Sequence, residues 1–249
     1  MSDAMRAATV EIEGHGGDTI QAYLAEPTDR QPAGGVVVIH HMPGWDEGSK
    51  EITRRFAAEG YPAICPNLYS REAPNASPEE AAALVRERGG VPDERLVGDV
   101  AGSIAHLRGL GSCNGKVATI GYCSGGRQSF LAACSLELDA AVDCYGGLVV
   151  GQVPEGFPVK EMKPIGHLAP QLSCPLLGLF GAEDQFPSPE HVDELERLLT
   201  EAGKTLEFHS FEGAGHAFFA TERPSYRPEA AVEGWGYVWD FFGRHLSKS

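Results

Sequence analysis

The feature that most restricts how this chain can fold is the string Gly121-Tyr122-Cys123-Ser124-Gly125-Gly126. A β-branched run, Lys116 to Ile120, precedes it, and a stretch of helical character, Ser124 to Ser135, follows it. That context makes it a G-x-nucleophile-x-G elbow with cysteine at its centre. A side chain held at a tight strand-to-helix turn sits on strained backbone. Neighbours two residues to either side would collide there, so those positions call for glycine. The turn lifts the side chain out at the carboxyl end of a sheet and sets it at a helix N-terminus, where free N–H groups and the dipole favour an anion. For a thiol this raises the thiolate fraction. The alternative is a glycine-rich turn that happens to hold a buried cysteine.

An elbow needs a base and an acid, and in such folds the chain order is nucleophile, acid, histidine. Two later loops supply them. Phe180-Gly181-Ala182-Glu183-Asp184 follows the apolar run Pro175 to Phe180, and Gly213-Ala214-Gly215-His216 follows the strand candidate Thr205 to Phe208. Both lie at strand carboxyl ends, where α/β sites assemble. Either Glu183 or Asp184 can be the acid. His216, flanked by glycine and with no helical face to fill, is the base.

The rest of the chain supplies the sheet. Thr9 to Glu13 and Thr19 to Ala25 read as a hairpin, and Gly34 to Ile39 as a strand buried on both faces. Tyr61 to Cys65 and Ala140 to Tyr145 are further strands. Helices are expected over Ser49 to Glu59, Glu79 to Arg88, Asp93 to Leu107, from Ser188 to before Gly203, and over Pro228 to Leu246. Strands alternating with helices predict a mostly parallel central sheet with helices on both faces, in one domain spanning 1–249. Gly146 to Cys174 has no clear periodicity and reads as a long surface loop. Trp235, Trp239 and Phe242, at helical spacing, read as core, and Glu79, Glu80, Glu194 and Glu196 as solvated faces.

Composition narrows the function. The net charge of -15 argues against a nucleic-acid partner. No apolar run is long enough to span a membrane. Met1 to Val10 carries one arginine and no apolar stretch, so no secretory leader is expected. The six cysteines include no CxxC pair, which fits free thiols in a cytoplasmic protein. The nine histidines form no HxxxH or HExxH pair, and no phosphate-binding glycine motif occurs, so neither metal nor nucleotide is expected.

With Cys123, the Asp184 segment and His216 placed, the chain resembles the dienelactone hydrolase family of α/β-hydrolases. The shared strings are GYCSGG, LFGAEDQFPSP and GAGHAFF, supported by CPNLY and NGKVATIGYCSGG. The resemblance covers nearly the whole chain in the same order. It implies an α/β-hydrolase fold, a Cys123-His216-Asp184 triad, hydrolysis of a small-molecule lactone or ester through a thioester acyl-enzyme, and no cofactor. The chain departs from the family at two positions. His41 stands where the family carries a glutamate beside the nucleophile, and Ala220 stands where it carries a substrate-binding arginine, although Arg223 is near. Arg71, Arg86 or Arg88 could match a second arginine.

On that reading the oxyanion donors are the backbone N–H groups of Ser124 and Met42, since Pro43 has none. His41, Trp45, Tyr122 and Arg223 are pocket candidates. His40 and His41 are adjacent on an extended segment, so at most one faces Cys123. If His41 does, it pairs with the thiolate, and His41→Ala slows labelling of Cys123 by iodoacetamide. Two other functions fit the same sequence: an acyl or thioester transferase using the same three residues, and a non-catalytic sensor with an oxidisable Cys123.

Overall fold

The computed structural model describes residues 5–28, 30–74, 76–153, 155–156, 159 and 162–247. Part of the segment read as lacking a leader, residues 1–4, lies outside them, as do five residues of the stretch 146–174. Eight strands form one sheet: β1 (Met5–Glu13), β2 (Thr19–Pro27), β3 (Ala33–Ile39), β4 (Ala63–Pro66), β5 (Cys113–Tyr122), β6 (Ala140–Cys144), β7 (Leu176–Gly181) and β8 (Leu206–Phe211). Their spatial order is β1-β2-β4-β3-β5-β6-β7-β8. Only β2 runs antiparallel to its neighbours; β4 through β8 are parallel. No helix among the described residues is long and apolar enough to cross a membrane.

Alternation along the strands divides the core in two. Val37 and Ile39 of β3 pack into one cluster, while Val36 and Val38 pack into the other. The first cluster is covered by α2 (Pro78–Glu87), α3 (Asp93–Arg108), α4 (Ser124–Ser135) and α5 (Pro189–Glu201). The second lies under α1 (Glu47–Glu59) and α6 (Pro228–Leu246). A strand buried on both faces needs apolar residues at every position, which is why β3 reads as a continuous run. Trp235 and Phe242 are buried in the second cluster, and Trp239 stacks on Trp235 with ring centroids 4.9 Å apart.

Two expectations change. Helix α1 is capped by Asp46, whose carboxylate accepts from Ser49 N at 2.9 Å, so it begins two residues earlier than expected. The described residues of the stretch 146–174 are in part buried rather than all surface loop. Leu148, Val149, Val150 and Ile165 are buried, Ile165 N donates to Val149 O at 2.9 Å, and Gly166–Gln171 forms a 3-10 helix. Turns and one short 3-10 helix bury apolar residues without a helical or strand period, so periodicity misses them.

Candidate active site

Strand β5 delivers the chain to the elbow, and α4 begins immediately after it. Cys123 sits at the turn with φ 57° and ψ -121°, a positive φ that costs a non-glycine residue about 1–3 kcal/mol. The surrounding packing fixes it there. A Cβ on Gly121 would lie 1.8 Å from the Gly125 carbonyl oxygen, and one on Gly125 would lie 2.3 Å from the Ile39 carbonyl oxygen. Neither backbone can yield, so the glycines on each side are steric requirements. We expect Gly125→Ala to abolish activity and to lower the thermal midpoint by several degrees; wild-type-like activity would show that the elbow can open.

The two later loops meet at the same end of the sheet. Gly181, ending β7, is the point of closest approach: a Cβ there would stand 2.5 Å from Ala214 O in the loop that carries His216. Asp184 is buried, while Glu183 is exposed, which separates the two candidate acids. Asp184 Oδ2 accepts from His216 Nδ1 at 2.8 Å and its Oδ1 from Phe186 N at 2.8 Å, so both oxygens are satisfied. With Nδ1 committed to Asp184, the other ring nitrogen of His216 is left free of that bond, and Cys123 is near enough to help raise the pKa of the ring.

Burial works against a charged His216, but hydrogen bonds to Asp184 and Cys123, together with their negative charges, outweigh it and push its pKa up to about 10. The folded value lies above the ordinary 6.5, so this interaction stabilises the fold fully below about pH 6.5 and is lost as pH rises through about 10. In an NMR titration, Cys123→Ala should bring the His216 midpoint down, because one of the two groups that raise it is gone. An unchanged midpoint would mean that sulfur does not act on the ring.

The segment after β3 lies against the elbow, since the Cβ position of Gly125 is also 2.9 Å from His40 O. Buried His40 is held neutral, with desolvation dropping its pKa to about 4. Its Nε2 accepts from Leu68 N at 3.3 Å and its Nδ1–H donates to His41 O at 2.9 Å. In a trans peptide the C=O and N–H point in opposite directions, so anchoring His41 O also aims the Met42 N–H. Tyr69 Oη donates to Met42 O at 2.9 Å and holds the next peptide. Among the described residues neither Met42 N nor Ser124 N has an acceptor.

The four pocket candidates separate. Tyr122 and His41 line a cleft beside the elbow, between the start of α1 and the segment 219–222. His41 gives its Nε2 to Asp46 at 2.6 Å. Trp45 is directed elsewhere: its Nε1 donates to Cys65 O at 3.0 Å, and its ring carries Lys50 Nζ 4.2 Å from its centroid. Arg223 stands outside the cleft lining, with Nε 3.7 Å from Glu222 Oε1. Sequence reading missed Tyr145, whose ring centroid lies 5.1 Å from that of His216. Its position one residue past β6, at a strand carboxyl end, was the available signal. Asp46 was missed because its pairing with His41 depends on the path of the turn between them.

Comparison with known proteins identifies the family. The model of the dienelactone hydrolase family matches residues 20–246. The carboxymethylenebutenolidase of Pseudomonas putida is 31% identical over 90% of this chain and 90% of its own length. A protein of Methylorubrum extorquens provisionally named carboxymethylenebutenolidase is 32% identical over 98% of this chain and 83% of its own. Among solved structures, a Klebsiella pneumoniae protein provisionally named a dienelactone hydrolase superposes with a TM-score of 0.85 at 31% identity, covering 97% of this chain and 100% of that one.

Proposed function

The chain belongs to the dienelactone hydrolase family and is a hydrolase of lactones or esters, and from that premise we propose that it works through Cys123, His216 and Asp184 by way of a thioester. The observation that carries this reading is the bond between Asp184 Oδ2 and His216 Nδ1 at 2.8 Å, on a ring whose pKa Cys123 also helps to raise.

The Cys123 thiolate attacks the carbonyl carbon, and the carbonyl oxygen becomes an anion held by the N–H groups of Ser124 and Met42. Each such donor is worth about 2.7–4 kcal/mol in comparable sites. As the C–O bond breaks, the proton on the distal ring nitrogen of His216 passes to the leaving alkoxide. In a lactone that alkoxide stays tethered to the acyl group. The now neutral imidazole takes a proton from water, and the hydroxide adds to the thioester. Collapse of the second tetrahedral adduct releases the acid and restores the thiolate beside an imidazolium. Asp184 keeps the ring in one tautomer and stabilises its charged form throughout.

Selective alkylation tests the assignment. Cys65, Cys134, Cys144 and Cys174 are buried, and desolvation raises their thiol pKa, to about 12 for Cys134 and Cys174. Cys113 and Cys123 are more accessible. At pH 6, where an ordinary thiol is almost wholly protonated, iodoacetamide should label Cys123 first. Ester hydrolysis should fall in step with that label; activity surviving complete labelling of Cys123 would reject the nucleophile. Product analysis with added alcohol or amine separates hydrolysis, in which water takes the acyl group, from transfer.

A further inference from the structure

A fully buried carboxyl stands directly behind the elbow. Asp143 of β6 pairs in register with Gly121 of β5, two residues before Cys123. We propose that Asp143 is a positioning residue of this site: its uncharged carboxyl braces the first turn of α4 and the turn 145–147, and through them sets Cys123 and Tyr145 beside His216. This rests on the reading of Cys123 as nucleophile.

One carboxyl oxygen joins the two turns. Asp143 Oδ1 accepts from Gly146 N at 2.7 Å. A Cβ on Gly126 would lie 2.2 Å from that oxygen and one on Gly146 2.4 Å, so it is pressed between the start of α4 and the turn that follows β6. Both turns reach the reacting groups. Gly126 N donates to Cys123 O at 2.9 Å, and Cys123 N donates to Cys144 O at 3.0 Å. Tyr145 has φ 44° and sets its ring against that of His216, the centroids 5.1 Å apart. A positive φ at tyrosine persists only where the surroundings hold it, and the bond from Gly146 to Asp143 closes the turn around it.

The other oxygen, Oδ2, is buried with no hydrogen-bond partner among the described residues. The ionisable groups on the elements around Asp143 are Tyr122 and Cys123, Cys144 and Tyr145, and Arg127 of α4; β7 sets Gly178 opposite it, and α6 covers the other face of the sheet. Burial holds Tyr122, Cys144 and Tyr145 neutral. Arg127 is spent on Asp93 at 2.8 and 3.0 Å and on the Lys163 carbonyl at 2.8 Å. A carboxylate so placed is costly. Burial pushes the Asp143 carboxyl from 3.8 up to about 7, with the Gly146 N–H opposing. Its ionisation puts a negative charge behind the first turn of α4, whose N–H field serves the thiolate and the oxyanion. The protonated acid braces the turns without that charge. Between about pH 3.8 and 7 the folded carboxyl keeps a proton that the unfolded chain has lost, so it lowers stability as pH rises through that window, and the cost remains above it.

Two variants test the role. Asp143→Asn keeps an acceptor for Gly146 N and cannot ionise; Asp143→Ala has neither property. Near pH 6, Asp143→Ala should lower kcat for p-nitrophenyl acetate by about tenfold or more with KM little changed, and Asp143→Asn should restore it to within about threefold of wild type. Near pH 9, Asp143→Asn should exceed the wild-type kcat/KM by about tenfold, because only the wild type acquires the charge. The thermal midpoint of Asp143→Asn should gain on wild type from about pH 4 to about pH 7 and then hold its lead. If Asp143→Ala does not fold, the Asp143→Asn rate profile decides alone. Coincident rate profiles for wild type and Asp143→Asn overturn the proposal, even with a growing thermal difference, since Asp143 is then only structural. Damage by Asp143→Asn equal to that by Asp143→Ala overturns it too. Hydrolysis that survives Cys123→Ala removes the nucleophile reading and this proposal with it; coincident profiles in a protein that Cys123→Ala silences reject Asp143 alone.

Discussion

Replacing Cys123 by alanine should lower kcat/KM for an activated ester or lactone by at least about ten-thousandfold, roughly 5.5 kcal/mol of transition-state stabilisation. No other group among the described residues is placed to take over. Tyr122 and Tyr145 are buried with hydroxyl pKa values raised far above the ordinary range, chiefly by desolvation, which makes them poor nucleophiles at neutral pH. What remains is whatever the oxyanion donors and substrate binding contribute without covalent chemistry. The substitution retains the Cβ and the backbone, and the sulfur is only half-buried, so unfolding stability should change by no more than about 1 kcal/mol. That contrast matters, because a merely structural cysteine would affect stability more than rate. Activity within about tenfold of wild type in a folded Cys123→Ala protein would place the nucleophile elsewhere.

Asp184→Asn should produce the second largest effect, a fall in kcat of about a thousandfold to ten-thousandfold with KM little changed. The carboxamide has nearly the same shape and can keep the contact with Phe186 N. It differs in charge and in donor pattern. An NH2 group turned toward His216 Nδ1 favours the tautomer with its proton on the nitrogen that should serve the sulfur, and the imidazolium loses its neighbouring anion. The pKa of His216, held near 10 partly by Asp184, should fall as well. Glu183→Gln is the internal control: that side chain is exposed one residue away, and its loss should leave kcat within about twofold. Equal effects at 183 and 184 would dissolve the assignment of the acid.

The parts of the site that the sequence disclosed are those set by local backbone chemistry. GYCSGG requires a particular turn because a Cβ at Gly121 or Gly125 would stand 1.8 or 2.3 Å from a backbone oxygen, and that requirement is written in consecutive residues. Asp184 and His216 were legible because parallel strands bring their carboxyl ends to one edge, so loops far apart in sequence must converge. What was hidden depends on which side chains meet across turns. The pairing of His41 with Asp46, the lock of His40 on the His41 carbonyl, and the turning of Trp45 onto the Cys65 carbonyl follow from the path of residues 40–46, which no periodicity encodes. The stretch 146–174 escaped for a related reason: its buried valines and leucine are spaced by turns.

The most direct test of the central claim is to find the acyl group. Mixing the protein with p-nitrophenyl acetate, quenching in acid within the first turnover and mapping the peptides should place a single acetyl group on Cys123. Up to one equivalent of p-nitrophenolate should be released in the burst, and no adduct should form in Cys123→Ala. Turnover with the acetyl group on another residue, or with Cys123 unmodified at every quench time, would contradict a thioester formed at the elbow.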